Sequence, residues 1–493
     1  MRNKKRGLAI VASSVLAMSL LSFSTSAHTF ASEQTVSKNY LIAYGQSLPK
    51  DYQTAIKKAG GEVVREIKEI GGLEVRSTNP SFLNQLNSNS IVAVNVEKSY
   101  KITDGDPAGA DGKPVTLQED SDGTYWSLQW DMHRLTNEGK SYAVESGGTK
   151  TSSGVVHKAV VGIIDSGIDA SHPDLKANFI GGKNFVPAGG YNNSVPAEQG
   201  NPSDVTDTNG HGTHVAGSIA GNGKVKGVGP DLGIRAYRIF DSSGNAPTAP
   251  IVAAIIEAAN DGVDVINMSI GGFDNLKYYN EGTRYNDVAD VILWKRAVQY
   301  ALNKKVTVVA AAGNESLNYA DKKSLTDYMN AAYGDENLIY KGVAIETPGG
   351  TPGVMTVSSS NKWSRDTLAF YSNYGNSFID VAAPGGDNGP VYDSTRDLAK
   401  RDFTYRTLST WPTNLPPNKA TTLTPNYAYL HGTSMAAPKV AGIAGVIKAE
   451  HPDYTPSQVE ALIKKTAFDY GKKGHDPLFG SGEANAYTAL TGK

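Results

Sequence analysis

The sequence predicts an α/β protein: a mostly parallel sheet with helices on both faces, preceded by a small α/β unit. Two patterns support this prediction. From about Thr124 onward, short runs of continuous apolar residues alternate with helical stretches, as expected for parallel strands that are covered on both faces. Before that, residues 38–103 follow a strand–helix–strand–strand–helix–strand order. With 493 residues, the chain is long enough for more than one folding unit.

The N-terminus has the pattern of a secretory signal peptide. Four basic residues lie within the first six positions, and a mainly apolar run follows from Leu8 to Phe23. This run is short for a membrane span, so a cleaved signal over residues 1–31 is favoured over the alternative, an N-terminal anchor. Cleavage after Ala27 or Ala31 would suit the small residues there. We therefore expect a secreted, extracellular protein with no stable membrane insertion.

Residues 38–103 predict a small, ferredoxin-like α/β sandwich. Its strands are "NYLIAY", "EVVREIKEI", "LEVRST" and "IVAVNVEKSYKI", and its helices are "LPKDYQTAIKKAGG" and "PSFLNQLNSN". Residues 104–123 are acidic and rich in Gly and Pro, without an apolar period. That composition is typical of an exposed linker, and we expect a processing site within it.

Residues 124–493 form the predicted large domain. Its strands are "KAVVGIID", "GIRAYRIF", "VDVINMSI", "VTVVAAAG" and "GVMTVSS", and its helices cover 211–221, 248–261, 286–304, 434–450 and 456–467. Residues 316–345 and 409–426 are interpreted as surface insertions or as loops near a site.

Composition excludes several classes of function. Lys plus Arg total 47 and Asp plus Glu 49, a formal charge of −2, so nucleic acid is not an expected partner. The absence of cysteine excludes thiol catalysis, thiolate metal sites and disulfides.

Four polar residues stand at the ends of the predicted buried elements. Asp165 follows one strand and Asn314 another, whereas His211 and Ser434 open helices made of small residues. A serine hydroxyl needs an imidazole to accept its proton, and the imidazole needs a carboxylate to orient it. The oxyanion formed on a peptide carbonyl needs N–H donors, which an asparagine amide and a helix N-terminus supply.

Each residue also has a plainer interpretation. Asp165 and Asn314 could form turns, and Ser434 could simply cap its helix. His211 and His214 could bind a metal, although "HGTH" lacks the glutamate of the zinc-protease signature. His214 is therefore assigned a structural role.

The chain order Asp, His, Ser and five motifs resemble those of the subtilisin-like serine peptidases. The motifs are "VVGIIDSGIDASHPDL", "NGHGTHVAGSIAG", "VINMSIGG", "VVAAAGNE" and "HGTSMAAPKVAG". The resemblance implies a subtilisin-like fold, a triad of Asp165, His211 and Ser434, and Asn314 as the oxyanion-hole amide. It also implies that two segments line the primary specificity pocket, Ser269, Ile270, Gly271 and Gly272 on one side and Ala311, Ala312 and Gly313 on the other.

The same resemblance makes residues 38–103 an inhibitory propeptide and the chain a self-processing zymogen that acts on polypeptides as a monomer. No cofactor is needed for the chemistry. A structural calcium ion remains a question: Asp174 matches one ligand, but the loop "NGKVK" is shorter than the calcium loop of many relatives.

Glu346 in "IETPGGTPGV" aligns near the floor of the specificity pocket. A carboxylate there would favour Lys or Arg before the cleaved bond, unless the side chain points to solvent. The sequence leaves open a broad degradative enzyme or a processing protease. It also leaves two rivals, a silent binding protein on the same fold and a metal-dependent hydrolase.

Overall fold

The N-terminal unit is a four-stranded antiparallel sheet with two short helices. The computed structural model describes residues 37–86, 89–102, 112–152 and 154–492, so the predicted signal peptide and residues 104–111 of the predicted linker lie outside the described residues. The elements of the unit are β1 Lys38–Tyr44, α1 Tyr52–Lys58, β2 Gly61–Ile67, β3 Gly72–Ser77, α2 Phe82–Gln85 and β4 Ile91–Val96. The strand order β2-β3-β1-β4 is that of a ferredoxin-like sandwich. Ile56 and Phe82 from its helices pack on Ile42 and Val75.

The strand predicted over 91–102 is divided in two. Its first part, β4, stays in the N-terminal sheet, and its second part, β5 Ser99–Lys101, leaves that sheet. β5 pairs antiparallel with β11, Asn245–Pro247, which places Tyr100 opposite Ala246. The Ile102 N–H continues the ladder by donating to the Gly244 carbonyl at 3.0 Å. The end of the N-terminal unit is therefore an added strand on the rest of the protein.

The remaining elements follow the predicted α/β alternation. The strands are β6 Gly148–Thr151, β7 Gly154–His157, β8 Val160–Asp165, β9 Phe179–Asn184, β10 Gly233–Arg238, β12 Val265–Met268, β13 Gly272–Asn275, β14 Tyr278–Asn280, β15 Thr283–Tyr285, β16 Thr307–Ala311, β17 Leu338–Tyr340, β18 Ala344–Thr347, β19 Val354–Ser360, β20 Val381–Pro384, β21 Thr407–Thr410 and β22 Tyr427–Leu430. The helices are α3 Trp130–Thr136, α4 His211–Ala220, α5 Thr248–Asn260, α6 Val288–Asn303, α7 Lys322–Tyr333, α8 Pro390–Thr395, α9 Thr433–Glu450, α10 Pro456–Thr466 and α11 Ala486–Thr491.

A seven-stranded parallel sheet forms the centre of the protein, in the order β20-β19-β16-β12-β8-β10-β9. All five predicted strands belong to it, which confirms the fold class. β9 and β20 were not predicted, because β9 is partly exposed and contains Gly181 and Gly182, and β20 has only four residues. β9 therefore lacks the apolar run by which the other five were recognised, and in β20 that run is short and ends in a proline.

Helices cover both faces of this sheet and form two hydrophobic cores. On one face, α4 and α9 pack against Val161 and Ile163 of β8. On the other face, α5 and α6 pack against Ile164 of the same strand. Successive side chains of a strand point to opposite faces, so a strand between two helical layers must be apolar throughout.

The predicted insertion over 316–345 is partly ordered structure, since it contains α7 and β17. β17 completes a three-stranded sheet with the hairpin β14–β15. Residues 112–123 of the predicted linker are also anchored: Val115 pairs with Thr422, and Leu117 is buried. Within the described ranges, no helix is both long enough and apolar enough to cross a bilayer.

Candidate active site

The carboxyl edge of the central sheet gathers the polar residues that the sequence singled out. β8 ends at Asp165, β12 ends immediately before Ser269, and β16 leads into Asn314. These three strands are parallel neighbours, so their carboxyl ends meet at one edge, where ligands of open α/β sheets bind. α4 and α9 direct their N-termini, with His211 and Ser434, to the same edge.

Asp165 and His211 are joined by a direct hydrogen bond. The His211 Nδ1 lies 2.7 Å from Asp165 Oδ1, and the Asp165 carboxylate is fully buried. The backbone N–H of Ser166 donates to the same carboxylate oxygen at 2.7 Å. A carboxylate held in this way fixes the tautomer of the imidazole and leaves Nε2 as its basic atom.

Ser434, the second residue of α9, exchanges two hydrogen bonds with Ser269. Its hydroxyl donates to the Ser269 carbonyl at 3.0 Å, and the Ser269 hydroxyl donates to the Ser434 carbonyl at 2.8 Å. Pro438 explains why that carbonyl is available, because a proline four residues on has no N–H to give it. The start of α9 is thereby attached to the end of β12.

The side chain of Asn314 is oriented by Thr433. Its Oδ1 accepts from the Thr433 N–H and from the Thr433 hydroxyl, each at 2.9 Å. A Cβ on Gly432 would lie 3.6 Å from both Asn314 Nδ2 and the Ser434 backbone nitrogen. The side-chain amide and the first turn of α9 therefore direct two N–H donors at the same small region.

Between these residues lies a cavity of about 30 Å³. His211, Asn314 and Ser434 line it, together with Lys101 and Ile102 from the end of the N-terminal unit. The strand that follows the ferredoxin-like sandwich thus runs into the same cleft in which the candidate residues meet.

The two predicted walls of the specificity pocket are also brought together, and the carboxylate of Glu346 lies behind them. Ser269, Ile270, Gly271, Ala311 and Gly313 line the cavity, Gly272 extends the first wall and Ala312 is buried behind the second.

Glu346 is buried, 1% exposed, and does not point to solvent. Its Oε2 accepts from the Gly350 N–H at 2.8 Å, whereas its Oε1 is buried without a hydrogen-bond partner among the described residues. A Cβ on Gly271 would lie 2.9 Å from Glu346 Oε1. The lack of a side chain at Gly271 therefore allows this wall of the pocket to pass close to the Glu346 carboxyl. Burial raises the pKa of Glu346 well above its usual range, and the nearby Glu315 adds to the shift.

Glu315 is a site residue that the sequence reasoning missed. It lines the cavity beside Asn314, and its Oε2 accepts from Asn373 Nδ2 at 2.6 Å. Burial raises the pKa of this carboxyl as well. Its signal was present in the motif "VVAAAGNE", where it directly follows Asn314, but a single glutamate after a turn does not indicate which way it points.

The surroundings of His214 and Asp174 indicate structural roles for these two residues. His214 Nε2 lies 3.2 Å from the Thr407 carbonyl and 3.1 Å from that of Ala428, and burial lowers its pKa to about 3, so it is a neutral donor to the backbone. Asp174 accepts from the Val225 N–H and from the Tyr427 hydroxyl. Its oxygens already have donors, and within the described residues no group of three or more histidine or acidic side chains is arranged to hold a metal ion. The donor set at Asp174 does not fit a calcium ion.

Comparisons with known proteins agree with this geometry. The family model described as "Subtilase family" matches residues 157–482. The epidermin leader peptide-processing serine protease of Staphylococcus epidermidis is 31% identical over 92% of this chain and 92% of its own length. The nisin leader peptide-processing serine protease of Lactococcus lactis is 33% identical over 69% of this chain but only 46% of its own length. A crystal structure of the Staphylococcus aureus epidermin leader protease covers 92% of this chain and 98% of that one, with 28% identity and a TM-score of 0.74.

Proposed function

Because the chain belongs to the subtilase family of serine proteases, we propose that it is a secreted processing endopeptidase made as a zymogen, which removes leader segments from precursor peptides by cutting after Lys or Arg. The observation that carries the catalytic part is that His211, hydrogen-bonded to the buried Asp165, lines one cavity with Ser434 and Asn314.

In the proposed mechanism, the Ser434 Oγ attacks the peptide carbonyl while His211 Nε2 takes its proton. The Asp165 carboxylate stabilises the imidazolium, and the new oxyanion accepts hydrogen bonds from Asn314 Nδ2 and the Ser434 N–H. Collapse breaks the C–N bond, and His211 returns its proton to the leaving amine. Water, deprotonated by His211, then attacks the acyl-enzyme; the bond to Ser434 Oγ breaks, His211 returns the proton to that oxygen, and the second product leaves.

Glu346 supports the proposed preference for a basic residue. A buried carboxylate oxygen without a hydrogen-bond donor destabilises the empty pocket, and a guanidinium or ammonium group supplies the donors it lacks. Glu315 adds a second acidic group at the same end of the cleft. An apolar side chain would leave Glu346 Oε1 without a donor.

The substrate class is proposed from the relatives, two of which are named for the leader peptides that they process. The zymogen is proposed from the N-terminal unit, whose final residues lie in the cleft that a substrate would use. Removal of that unit would open the cleft. A broad degradative protease is the alternative, and it predicts little selectivity for the residue before the cleaved bond.

Replacement of the proposed nucleophile tests the catalytic assignment. For Ser434→Ala we expect a loss of turnover near a millionfold, a magnitude transferred from subtilisin, with peptide binding largely kept. The measurement is hydrolysis of a fluorogenic peptide, combined with mass-spectrometric mapping of a serine-reactive phosphonate. Ordinary activity in the variant, or labelling at a different serine, would refute the assignment.

Cleavage profiling on a peptide library tests the specificity. We expect the processed enzyme to cut after Lys and Arg, and Glu346→Gln to lower kcat/KM for those peptides by about tenfold to a hundredfold. The matched control is Glu281→Gln, which alters an exposed residue in the turn between β14 and β15. Indifference to Lys and Arg would exclude the basic pocket and favour the degradative alternative.

A further inference from the structure

Residues 112–117 lie along the loop that connects β21 to β22. The Val115 N–H donates to the Thr421 carbonyl at 2.8 Å, and the Val115 carbonyl accepts from the Leu423 N–H at 2.9 Å. Both backbone groups of Val115 are therefore used, in the pattern of a parallel strand pair. This pairing attaches the 112–117 segment to the large domain.

Leu117 adds a third hydrogen bond and an apolar contact to this attachment. Its N–H donates to the Thr424 hydroxyl at 2.8 Å, and its side chain is 6% exposed. The other buried members of its hydrophobic cluster all come from the large domain: Tyr125, Val225, Phe403, Leu408, Tyr427 and Tyr429. A segment whose backbone is paired and whose side chain is buried is a poor site for proteolysis.

The loop over residues 411–426, to which this segment is attached, also covers the start of α4. The Trp411 ring lies so close to Gly210 that a Cβ on this glycine would be 2.3 Å from the ring. Gly210 has a φ of +103° and directly precedes His211. The loop therefore contacts the turn that presents the proposed catalytic base.

Asp207 gives the loop a second contact with the same turn. Its buried carboxylate accepts from the N–H groups of Gly210 at 2.8 Å and Thr213 at 2.9 Å, so it caps the first turn of α4. The Asp207 carbonyl accepts from Asn414 Nδ2 at 3.3 Å. Displacement of the loop would therefore disturb the turn on which the position of His211 depends.

The order of the 411–426 loop depends on contacts outside it. The structure describes this loop throughout, and it contains neither a helix nor a strand. Near its start, the Thr413 N–H and hydroxyl donate to the Asp169 carboxylate at 2.8 and 2.6 Å. Near its end, the 112–117 segment holds it. Because a loop without its own secondary structure is ordered by its surroundings, loss of the second contact would increase its motion.

We infer that residues 112–117 stay bound after processing and, through the 411–426 loop, position His211 for proton transfer. Val115 and Leu117 are positioning residues in this scheme, because they act on the catalytic histidine only through the loop. The inference rests on the proposed function, since it assigns the segment a role in the reaction and requires that the precursor be cut before it.

Mass spectrometry and N-terminal sequencing of the processed enzyme test whether the segment is retained. We expect the first residue of the processed enzyme to lie at or before Val115. A processed enzyme whose first residue lies after Val115 would overturn the inference, because the pairing with the loop would then be lost on maturation.

Two substitutions that weaken the attachment test the effect on His211. Leu117→Ala leaves a cavity under the segment, and Thr424→Val removes the acceptor of the Leu117 N–H. In the processed enzymes we expect kcat to fall about tenfold and about threefold, respectively, with KM changed by less than about twofold, because a misplaced catalytic group slows the chemical step. Leu117→Met, which conserves volume, should keep kcat within about twofold of the parent. Steady-state kinetics on one fluorogenic peptide provides these values.

Ile463→Ala is the matched control, because it removes a similar apolar volume from a buried position of α10. We expect it to lower the Tm as Leu117→Ala does, but to leave kcat unchanged at a temperature at which both proteins are folded. Should Leu117→Ala fail to fold, Thr424→Val decides.

Unchanged kcat in the folded Leu117→Ala enzyme would overturn the inference and leave the proposed function intact. An equal fall in kcat for Ile463→Ala would also overturn it, since the effect would then be one of general stability. A chain that neither processes itself nor hydrolyses peptides would instead refute the proposed function, and the inference with it.

Discussion

At the scale of single residues, Thr433 does for Asn314 what Asp165 does for His211. Both of its donors bind the carbonyl end of the asparagine side chain, which fixes which end of the amide carries the N–H groups. Gly313 N in turn donates to the Thr433 hydroxyl at 3.1 Å. A preorganised donor stabilises an oxyanion without reorientation during the reaction, so the orientation itself has catalytic value.

Two substitutions distinguish the contribution of the Asn314 amide from that of Thr433, which orients it. Asn314→Ala removes the proposed oxyanion donor, and we expect kcat to fall roughly a hundredfold to a thousandfold with little change in KM, a magnitude transferred from subtilisin. Thr433→Val removes only one of the two bonds that orient the amide, so a smaller fall, about tenfold, is expected. Steady-state kinetics on one peptide measures both.

Thr326→Val, which alters a partly buried threonine of α7 whose hydroxyl also donates to the backbone, is the control for the loss of a hydroxyl. An Asn314→Ala enzyme with unchanged kcat would remove the amide from the mechanism. A larger effect for Thr433→Val than for Asn314→Ala would show that Thr433 acts in another way.

At the scale of elements, α9 contributes one partner of a buried ion pair. From Met435 to Ile447 the sequence of this helix is apolar except at Lys439, and the structure explains the exception. Lys439 Nζ lies 3.0 Å from Asp131 Oδ2 of α3 and donates to the Met435 carbonyl at 3.0 Å. Both side chains are buried, and burial lowers the pKa of Lys439 while Asp131 opposes that shift.

Removing one partner of this pair leaves an uncompensated charge in the core. For Asp131→Ala, made in the inactive Ser434→Ala chain, we expect a loss of about 3–5 kcal/mol in the free energy of unfolding. Replacing both residues, Asp131→Leu with Lys439→Met, should recover most of that loss. Urea denaturation followed by tryptophan fluorescence measures all three proteins, and equal stability of the single variant and the parent would contradict the argument.

The same helix shows what the sequence could predict and what it could not. The motifs and the small apolar side chains of α9 and α4 make both helices recognisable in the sequence. The four candidate residues were therefore placed on the correct elements. Glu315 and Thr433 were not recognised as site residues, because their importance lies in which neighbour they face. β9 and β20 were missed for a related reason, since only their position in the sheet identifies them as strands.

At the scale of the whole molecule, the N-terminal unit is attached to the starts of two helices. Asn95 accepts from the Ala289 N–H at the start of α6, and Glu97 accepts from the Ala249 N–H at the start of α5, both at 2.7 Å. Helix N-termini favour such acceptors. The Arg296 guanidinium of α6 donates back to the Tyr44 and Ile70 carbonyls.

This attachment also buries acidic groups close to one another. Asp290 contacts Asn95 and Thr248, and its pKa is raised to about 8 by burial and by the neighbouring Asp274 and Asp287. The pKa of Asp274 is raised to about 6, mainly by burial, although Lys98 opposes the shift. The sequence does not indicate this cluster: Asp274, Asp287 and Asp290 are close along the chain, but nothing in their spacing shows that they are buried together.

The acidic cluster predicts that the unprocessed protein loses stability as the pH rises. A carboxyl whose pKa is raised on folding binds its proton more tightly in the folded state, so its contribution is complete below the unfolded value of about 4 and is lost as the pH rises through the folded value. We therefore expect the Tm of the Ser434→Ala chain to fall between about pH 5 and about pH 9. Asp290→Asn keeps the shape of the side chain without the charge and should flatten that fall, whereas Asp453→Asn, at an exposed position, should not. Calorimetry across the pH series provides the measurement, and a Tm that rises over the same interval in the parent, or a fall that Asp290→Asn leaves unaltered, would refute the assignment of the pH dependence to this cluster.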